Sequence, residues 1–185
     1  MPRLIHLNGP PGIGKSTLAK RYGDEHPGTL VLDIDELRAM VGGWRDDFHG
    51  AGAAIRTAAL AMVTAYLGSG GDVIVPQLVA RPDQLDRFRG AATEAAAGYV
   101  CVLLMAPEPD DVVRRFRARS VVAGDDPWLT RVEGVVAEQG GDAALLRDHQ
   151  ILAALAAEDP TIVTVPSTDP DTTYAALLLA LERNA

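Results

Sequence analysis

Five short runs of apolar residues are spread along the chain, each bounded by polar, Gly or Pro residues. They are rich in Val, Ile and Leu and do not alternate with polar residues, which is typical of parallel strands that are covered on both faces. The pattern predicts a five-stranded parallel sheet with strands at Arg3–Leu7, Thr29–Leu32, Asp72–Val75, Tyr99–Met105 and Thr161–Val165.

Amphipathic helical segments separate these runs. Pro82, Pro109, Pro127 and Pro170 stand where helices could begin, because the first helical turn tolerates a missing N–H. Within 53–67, helical spacing predicts one inward apolar face formed by Ile55, Ala58, Ala59, Met62 and Tyr66. The repeated strand–helix pattern predicts an α/β fold with three layers, in one domain spanning residues 1–185.

A phosphate-binding loop motif, G-x-x-x-x-G-K-[ST], follows the first predicted strand directly and precedes a helical pattern. In this context, consecutive backbone N–H groups and the helix dipole converge on one anion. Lys15 is expected to reach the β- and γ-phosphates of a nucleotide, and the Ser16 hydroxyl to ligate Mg²⁺. The predicted nucleotide-binding residues are Gly9, Gly12, Ile13, Gly14, Lys15, Ser16 and Thr17.

The bulk composition narrows the range of functions. A formal net charge of −8 argues against a general nucleic-acid-binding protein, which normally has a basic face. The single cysteine, Cys101, excludes an internal disulfide and a multi-cysteine metal site, and its apolar surroundings predict a buried core residue. No charged-then-apolar leader and no uninterrupted apolar run of bilayer length is apparent, so we expect a cytoplasmic protein without membrane partners.

Two acidic residues, Asp33 and Asp35, end the second predicted strand. Ligands of open parallel sheets bind beyond the carboxyl ends of the strands, so these carboxylates are expected to face the ligand. Alternation along an extended segment would place both on one side, with Ile34 turned away. We expect Asp33 to help hold Mg²⁺ and Asp35 to orient or deprotonate an acceptor hydroxyl. Alternatively, Asp35 caps a helix that begins at Glu36.

With these motifs, the chain resembles small P-loop kinases of the adenylate kinase-like group. This group includes shikimate and gluconate kinases, chloramphenicol phosphotransferase and the tunicamycin-resistance ATP-binding proteins. The resemblance implies a P-loop NTPase fold with a short helical lid at about residues 115–131. Asp33-x-Asp35 resembles the D-x-D of shikimate kinase-like enzymes, whose first Asp organises Mg²⁺ and whose second engages the acceptor. Asp35-Glu36-Leu37-Arg38 resembles a nucleoside monophosphate kinase segment whose Arg binds the acceptor's phosphate, although Ile34 replaces its Gly.

Four arginines lie within the six residues 114–119. Arg115 and Arg119 share one helical face, and their R-x-x-x-R spacing resembles the lid-entry arginines of these kinases. The resemblance implies that Arg115 packs on adenine, that Arg119 contacts the transferring phosphate, and that Ser167 belongs to the loop beside adenine. Arg114 and Arg117 are interpreted as surface residues paired with Asp110 and Asp111. Gly124 is expected to make the lid flexible.

Three further residues are candidates for acceptor binding. Trp44 lies in the segment where this group binds its acceptor, although ordinary packing explains an aromatic residue equally well. Gln77 follows the third strand, and Arg131 follows the lid, where it contacts phosphate or covers an exposed helix face.

The sequence thus predicts transfer of a phosphoryl group from ATP, with Mg²⁺, to a small-molecule acceptor by a monomer or homodimer. A nucleoside monophosphate kinase and a non-catalytic, nucleotide-dependent binding protein are the alternatives.

Overall fold

A computed structural model describes residues 1–123 and 126–184, and for residues 120–123 it describes the backbone alone. One five-stranded sheet organises it, and the strands lie in the order β2-β3-β1-β4-β5, all parallel. The strands are β1 (Arg3–Asn8), β2 (Leu30–Val31), β3 (Val73–Pro76), β4 (Gly98–Met105) and β5 (Ile162–Pro166). All five predicted strands are therefore confirmed, as is the parallel sheet.

Helices connect the strands and cover both faces of the sheet. Within the described residues they are α1 (Lys15–Glu25), α2 (Ile34–Ala39), α3 (Phe48–Gly68), α4 (Pro82–Glu94), α5 (Pro109–Ala123), α6 (Pro127–Glu138), α7 (Asp142–Glu158) and α8 (Pro170–Arg183). The four prolines named above each begin a helix, as predicted.

Two apolar clusters, one on each face of the sheet, make the three layers. On one face, side chains such as Leu4 and Val75 pack with α3, α4 and α7. On the other, Ile5 and Leu7 pack with α1, α5 and α8. Successive residues of β1 thus enter opposite clusters, because side chains alternate across a strand. The α/β three-layer prediction is confirmed.

The inward face of α3 differs from the predicted one. Ala59, Val63 and Leu67 are buried, whereas Ala58 and Met62 are exposed. The helix is apolar almost all round, so its composition alone did not define which side meets the sheet. By length and composition α3 is apolar enough to cross a membrane, although a third of its most apolar 18-residue stretch is buried within the protein. Its packing on the sheet is that of a core helix.

The second strand ends earlier than expected, and this changes the geometry of the two acids. β2 contains only Leu30–Val31, and α2 begins at Ile34 rather than at Glu36. Asp33 is its N-cap, since its side chain accepts a hydrogen bond from the Asp35 backbone N–H. The prediction that both acids lie on an extended segment is therefore wrong, as is the alternative that Asp35 is the cap.

Candidate active site

The phosphate-binding loop joins β1 to α1 at the carboxyl edge of the sheet. Gly9, Gly12 and Gly14 all have positive φ, with values of 145°, 77° and 102°. A Cβ on Gly9 would lie 2.6 Å from the Leu104 carbonyl oxygen, so only glycine fits there. No side chain caps the first turn of α1, and that turn contains no acidic residue. Its backbone N–H groups are thus available to an anion.

Lys15 is folded against its own loop. Its Nζ donates hydrogen bonds to the carbonyl oxygens of Gly9 (2.8 Å) and Pro10 (3.0 Å). Burial lowers the pKa of Lys15 to about 8, against the opposing attraction of Asp35 and Asp33. A cation that is held in place but poorly solvated gains strongly from an arriving phosphate.

Ser16 and Asp33 place oxygen atoms together beside this lysine. The Ser16 hydroxyl donates a 2.8 Å hydrogen bond to Asp33 Oδ2, while Asp33 Oδ1 caps α2. A hydroxyl and one carboxylate oxygen suit Mg²⁺, which takes few protein ligands and fills its octahedron with water and substrate phosphates. Among the described residues no group of three His, Cys, Asp or Glu could form an all-protein metal site.

Asp35 lies in the first turn of α2 and faces the same space. Burial raises its pKa, the Arg38 guanidinium opposes this, and Asp33 adds to it. Asp35 and Arg38 form an ion pair of 3.3 Å one helical turn apart. A partly desolvated carboxylate at this edge is suited to accepting a proton from a hydroxyl.

Arg119 completes the group of predicted catalytic residues. Its positive charge acts on both Lys15 and Asp35, and it borders a cavity beside the phosphate-binding loop. The structure therefore brings Lys15, Asp33, Asp35 and Arg119 into one region, although they come from three separate segments of the chain. Their chemical roles stay predictions.

A cavity of about 710 Å³ lies between the loop, α5, α6 and the segment after β5. Arg115 and Ser167 both line it, and their role in binding the base stays a prediction. Arg115 donates three hydrogen bonds, to Ser167 Oγ (2.9 Å), to Ser167 O (2.9 Å) and to Thr168 O (2.7 Å). Ser167 Oγ in turn donates to the Ile13 carbonyl at 3.1 Å. Arg115 thus ties α5 to the wall of the cavity, a link that the resemblance did not imply.

The remaining two arginines of the cluster are surface residues. Arg114 pairs with Asp111 at 2.6 Å, which confirms one predicted partner. Arg117 pairs with Asp142 at the start of α7, not with the acids of its own helix.

On the acceptor side, three aromatic rings from distant segments meet. The Trp128 ring of α6 lies 5.3 Å from Trp44 and 5.5 Å from Phe48. Arg38 lies over the Phe48 ring at 4.3 Å, and Arg131 lies over the same ring at 5.5 Å. Trp44 is buried, so packing is its observed role.

Arg131 is held by α6 and by the loop before α3. Its Nε donates to the Arg45 carbonyl oxygen (3.1 Å), and it pairs with Glu138 at 3.1 Å. It is not among the residues that line the cavity beside Arg115 and Ser167.

Gln77 lies at the carboxyl end of β3 but is 95% buried, rather than open to the crevice. Its Nε2 donates weakly to Leu78 O (3.4 Å), and its Oε1 has no partner. Direct contact with an acceptor would need this side chain to turn outward.

Asn8 is a residue beside the phosphate-binding loop that the sequence analysis did not single out. It is fully buried at the end of β1, where Oδ1 accepts from the N–H groups of Gly9 (2.8 Å) and Val79 (2.9 Å). Its Nδ2 donates to the Val79 carbonyl at 2.7 Å. The feature of the sequence that could have identified Asn8 is a polar residue at the end of a buried strand, directly before the first glycine of the loop.

The predicted lid is two helices. α5 continues to Ala123 and α6 begins at Pro127, with Asp126 as its N-cap. The expected flexibility at Gly124 lies outside the described residues.

Fold and site together define a P-loop nucleotide-binding domain with a kinase-like arrangement. A family model described as an AAA domain matches residues 4–127, more than half of the chain, and the chain belongs to this family. No curated protein matches in a sequence comparison.

Solved structures with the same fold cover nearly the whole chain. A gluconokinase from Sinorhizobium meliloti 1021 is 20% identical, with a TM-score of 0.63, over 98% of this chain and 93% of its own. A tunicamycin resistance protein from Deinococcus radiodurans is 19% identical, with a TM-score of 0.62, over 99% and 96%. A proposed kinase from Chloroflexus aurantiacus j-10-fl is 19% identical, with a TM-score of 0.70, over 100% and 98%. The P-loop kinase fold implied by the resemblance is confirmed.

Proposed function

We propose that the protein transfers the γ-phosphate of ATP, in the presence of Mg²⁺, to a hydroxyl of a small-molecule acceptor. The observation that carries this is the convergence of Lys15, the Ser16–Asp33 pair, Asp35 and Arg119 at one edge of the sheet. Nucleotide binding alone would account for the presence of Lys15 and Ser16 in the loop. It would not account for Asp35, a second, partly buried carboxylate that pairs with Arg38.

Different residues of the chain would have different roles in this reaction. Backbone N–H groups of the loop and Lys15 bind the phosphates, and the cavity beside Arg115 and Ser167 takes the base. Ser16 and Asp33 would hold Mg²⁺, which when bound neutralises part of the phosphate charge.

Asp35 accepts the acceptor's hydroxyl proton as that oxygen bonds to the γ-phosphorus. The bond from the γ-phosphorus to the β,γ-bridging oxygen breaks, and ADP leaves with the electron pair. Arg119 offsets negative charge on the phosphoryl group while it is being transferred.

A non-catalytic binding protein is the second candidate. The observation that favours it is the packing of Trp44, Phe48 and Trp128, which fill the acceptor side with the protein's own side chains. The fold likeness to a tunicamycin resistance protein is consistent with it. The expected small-molecule partner, monomer or homodimer state and cytoplasmic location stay predictions.

Asp35→Asn separates the two candidates. In a kinase, this change should abolish phosphate transfer to a panel of hydroxyl acceptors while leaving ATP affinity within about threefold. Asp47→Asn, an exposed cap of α3, is the matched control and should leave both unchanged. Undiminished transfer by Asp35→Asn would contradict the assigned role. Absence of transfer by the unaltered protein, with ligand binding retained, would favour the binding protein.

A further inference from the structure

The first turn of α6 has two sides that lie against different parts of the candidate site. Asp126 and Leu129, three residues apart, line the cavity beside the phosphate-binding loop. Trp128 and Arg131, also three residues apart, contact the loop before α3 and Phe48, the first residue of α3. One short stretch of helix therefore contacts both the side expected to bind a nucleotide and the acceptor side.

On the acceptor side, α6 lies next to the carboxylate that is assigned to the acceptor hydroxyl. The Trp128 ring lies 5.5 Å from the Arg38 guanidinium, and Arg38 pairs with Asp35 at 3.3 Å. The same ring packs on Trp44 and Phe48. The Trp128 ring thus takes up space near Asp35, and an acceptor would compete with it for that space.

On the cavity side, the start of α6 presents a negative charge. Asp126 caps the helix by accepting a hydrogen bond of 2.8 Å from the Trp128 backbone N–H, and Pro127 has no N–H to offer an anion. The opposite wall of the cavity, formed by α5, carries Arg115 and Arg119. A nucleotide polyphosphate in this cavity is therefore attracted by α5 and repelled by the start of α6.

The two sides of this turn are directly connected, because the carboxylate on the cavity side holds the backbone of Trp128. The contacts that dock α6 on the acceptor side are the ring contacts of Trp128 and two contacts of Arg131. Arg131 Nε donates to the Arg45 carbonyl oxygen at 3.1 Å, and its guanidinium lies 5.5 Å from the Phe48 ring. Each such contact is weak alone, so a ligand that disfavours the docked arrangement can shift α6 away from it.

We propose that the docked Trp128 ring is an autoinhibitory contact, and that a bound nucleotide releases it by repelling Asp126. This rests on the proposed function for the position of the acceptor near Asp35. Nucleotide binding would then precede acceptor binding. Docking of α6 would also weaken nucleotide binding, because the coupling between two equilibria is reciprocal.

The fluorescence of Trp128 tests this without an acceptor. The chain has two tryptophans, and Trp44→Phe keeps an aromatic ring at that position while leaving Trp128 as the single tryptophan. Mg²⁺ and a non-hydrolysable ATP analogue are added to saturation, which calorimetry checks, and quenching of the fluorescence by acrylamide is measured. We expect the analogue to increase quenching and to shift the emission to longer wavelength, because the indole ring leaves its aromatic neighbours for water.

Asp126→Asn, made in the Trp44→Phe protein, tests the route of the coupling. Asparagine caps a helix as well as aspartate does, so α6 keeps its start and loses only the charge. The analogue should then bind without increasing the quenching of Trp128. Asp169→Asn is the matched control, because Asp169 also caps a helix and lines the same cavity but belongs to α8. This variant should keep the increase in quenching.

Trp128→Ala, with Trp44 kept, tests the reciprocal effect. Removal of the docking ring should raise affinity for the analogue about fivefold, at the low end of the range for coupling between two sites. Calorimetry measures this affinity.

Four results would overturn the inference. These are quenching of Trp128 that stays the same or falls on saturation, an equal increase in Asp126→Asn, unchanged or lower affinity in Trp128→Ala, and no binding of the analogue. If the analogue releases Trp128 but no acceptor is ever phosphorylated, the nucleotide-dependent release stands and the proposed transfer fails.

Discussion

Asn8 offers the sharpest test of how the phosphate-binding loop is held. Asn8→Ala removes three hydrogen bonds in a site closed to water, and leaves the N–H groups of Gly9 and Val79 and the Val79 carbonyl without partners. Each lost partner costs about 1 kcal/mol at the low end of the range for buried groups. We therefore expect the free energy of unfolding to fall by about 3 kcal/mol.

Urea denaturation followed by circular dichroism measures this loss. With a slope of about 2 kcal/mol/M, the midpoint should fall by about 1.5 M. Nucleotide affinity should fall as well, because Gly9, whose N–H loses its partner, is the first residue of the phosphate-binding loop. Asn184→Ala is the control, since it removes one hydrogen bond, to the Ala180 carbonyl near the end of α8. It should cost no more than about 0.5 kcal/mol.

A second substitution at this position tests the cause. Asn8→Asp keeps an oxygen for both N–H groups but turns a carboxylate toward the Val79 carbonyl. Burial should raise the pKa of this new carboxyl, so its destabilising effect should shrink as the pH falls and the carboxyl becomes a donor. Asn8→Ala as stable as the unaltered protein, within about 0.5 kcal/mol, would refute the reasoning.

Three further outcomes follow from the site. Because burial lowers the pKa of Lys15 to about 8, ATP binding near pH 8.5 should take up a proton, and affinity should fall as the pH rises above 8. Calorimetry in buffers of different protonation enthalpy measures this, and absence of uptake would contradict it. Arg115→Ala should weaken nucleotide binding about tenfold, because Ser167 and the cavity wall lose their tie to α5; unchanged affinity in a fluorescent-nucleotide titration would count against it. Burial raises the pKa of Asp35 and outweighs the attraction of Arg38, so its stabilising contribution is fully present below the unfolded pKa and is lost as the pH rises through the folded pKa. Asp35→Asn should accordingly melt no lower than the unaltered protein at pH 7, and a lower midpoint in differential scanning fluorimetry would show that the ion pair dominates.

The strands and the phosphate-binding loop were predictable because each depends on local sequence. Continuous apolar runs define buried strands, and Gly9 to Thr17 carry the loop chemistry within nine residues. Asp33 and Asp35 were placed at the correct edge of the sheet, but their geometry was wrong because the Asp33 cap starts α2 two residues early.

Contacts between distant segments were not predictable. Trp128 meets Trp44 and Phe48 only because the start of α6 lies against the loop before α3 and the first residue of α3, and periodicity within one helix carries no information about such contacts. For the same reason, the partner of Arg117 lay on another helix.

Transfer of γ-labelled phosphate from ATP tests the central claim most directly. The protein is incubated with Mg²⁺ and a panel of hydroxylated acids, phosphate esters, nucleosides, sugars and antibiotics, with Lys15→Ala as the blank and mass spectrometry to locate the label. We predict label on one small hydroxylated molecule, absent from the blank. Label only in free phosphate, or nowhere despite tight ATP binding, would contradict the account of this protein as a kinase for such acceptors.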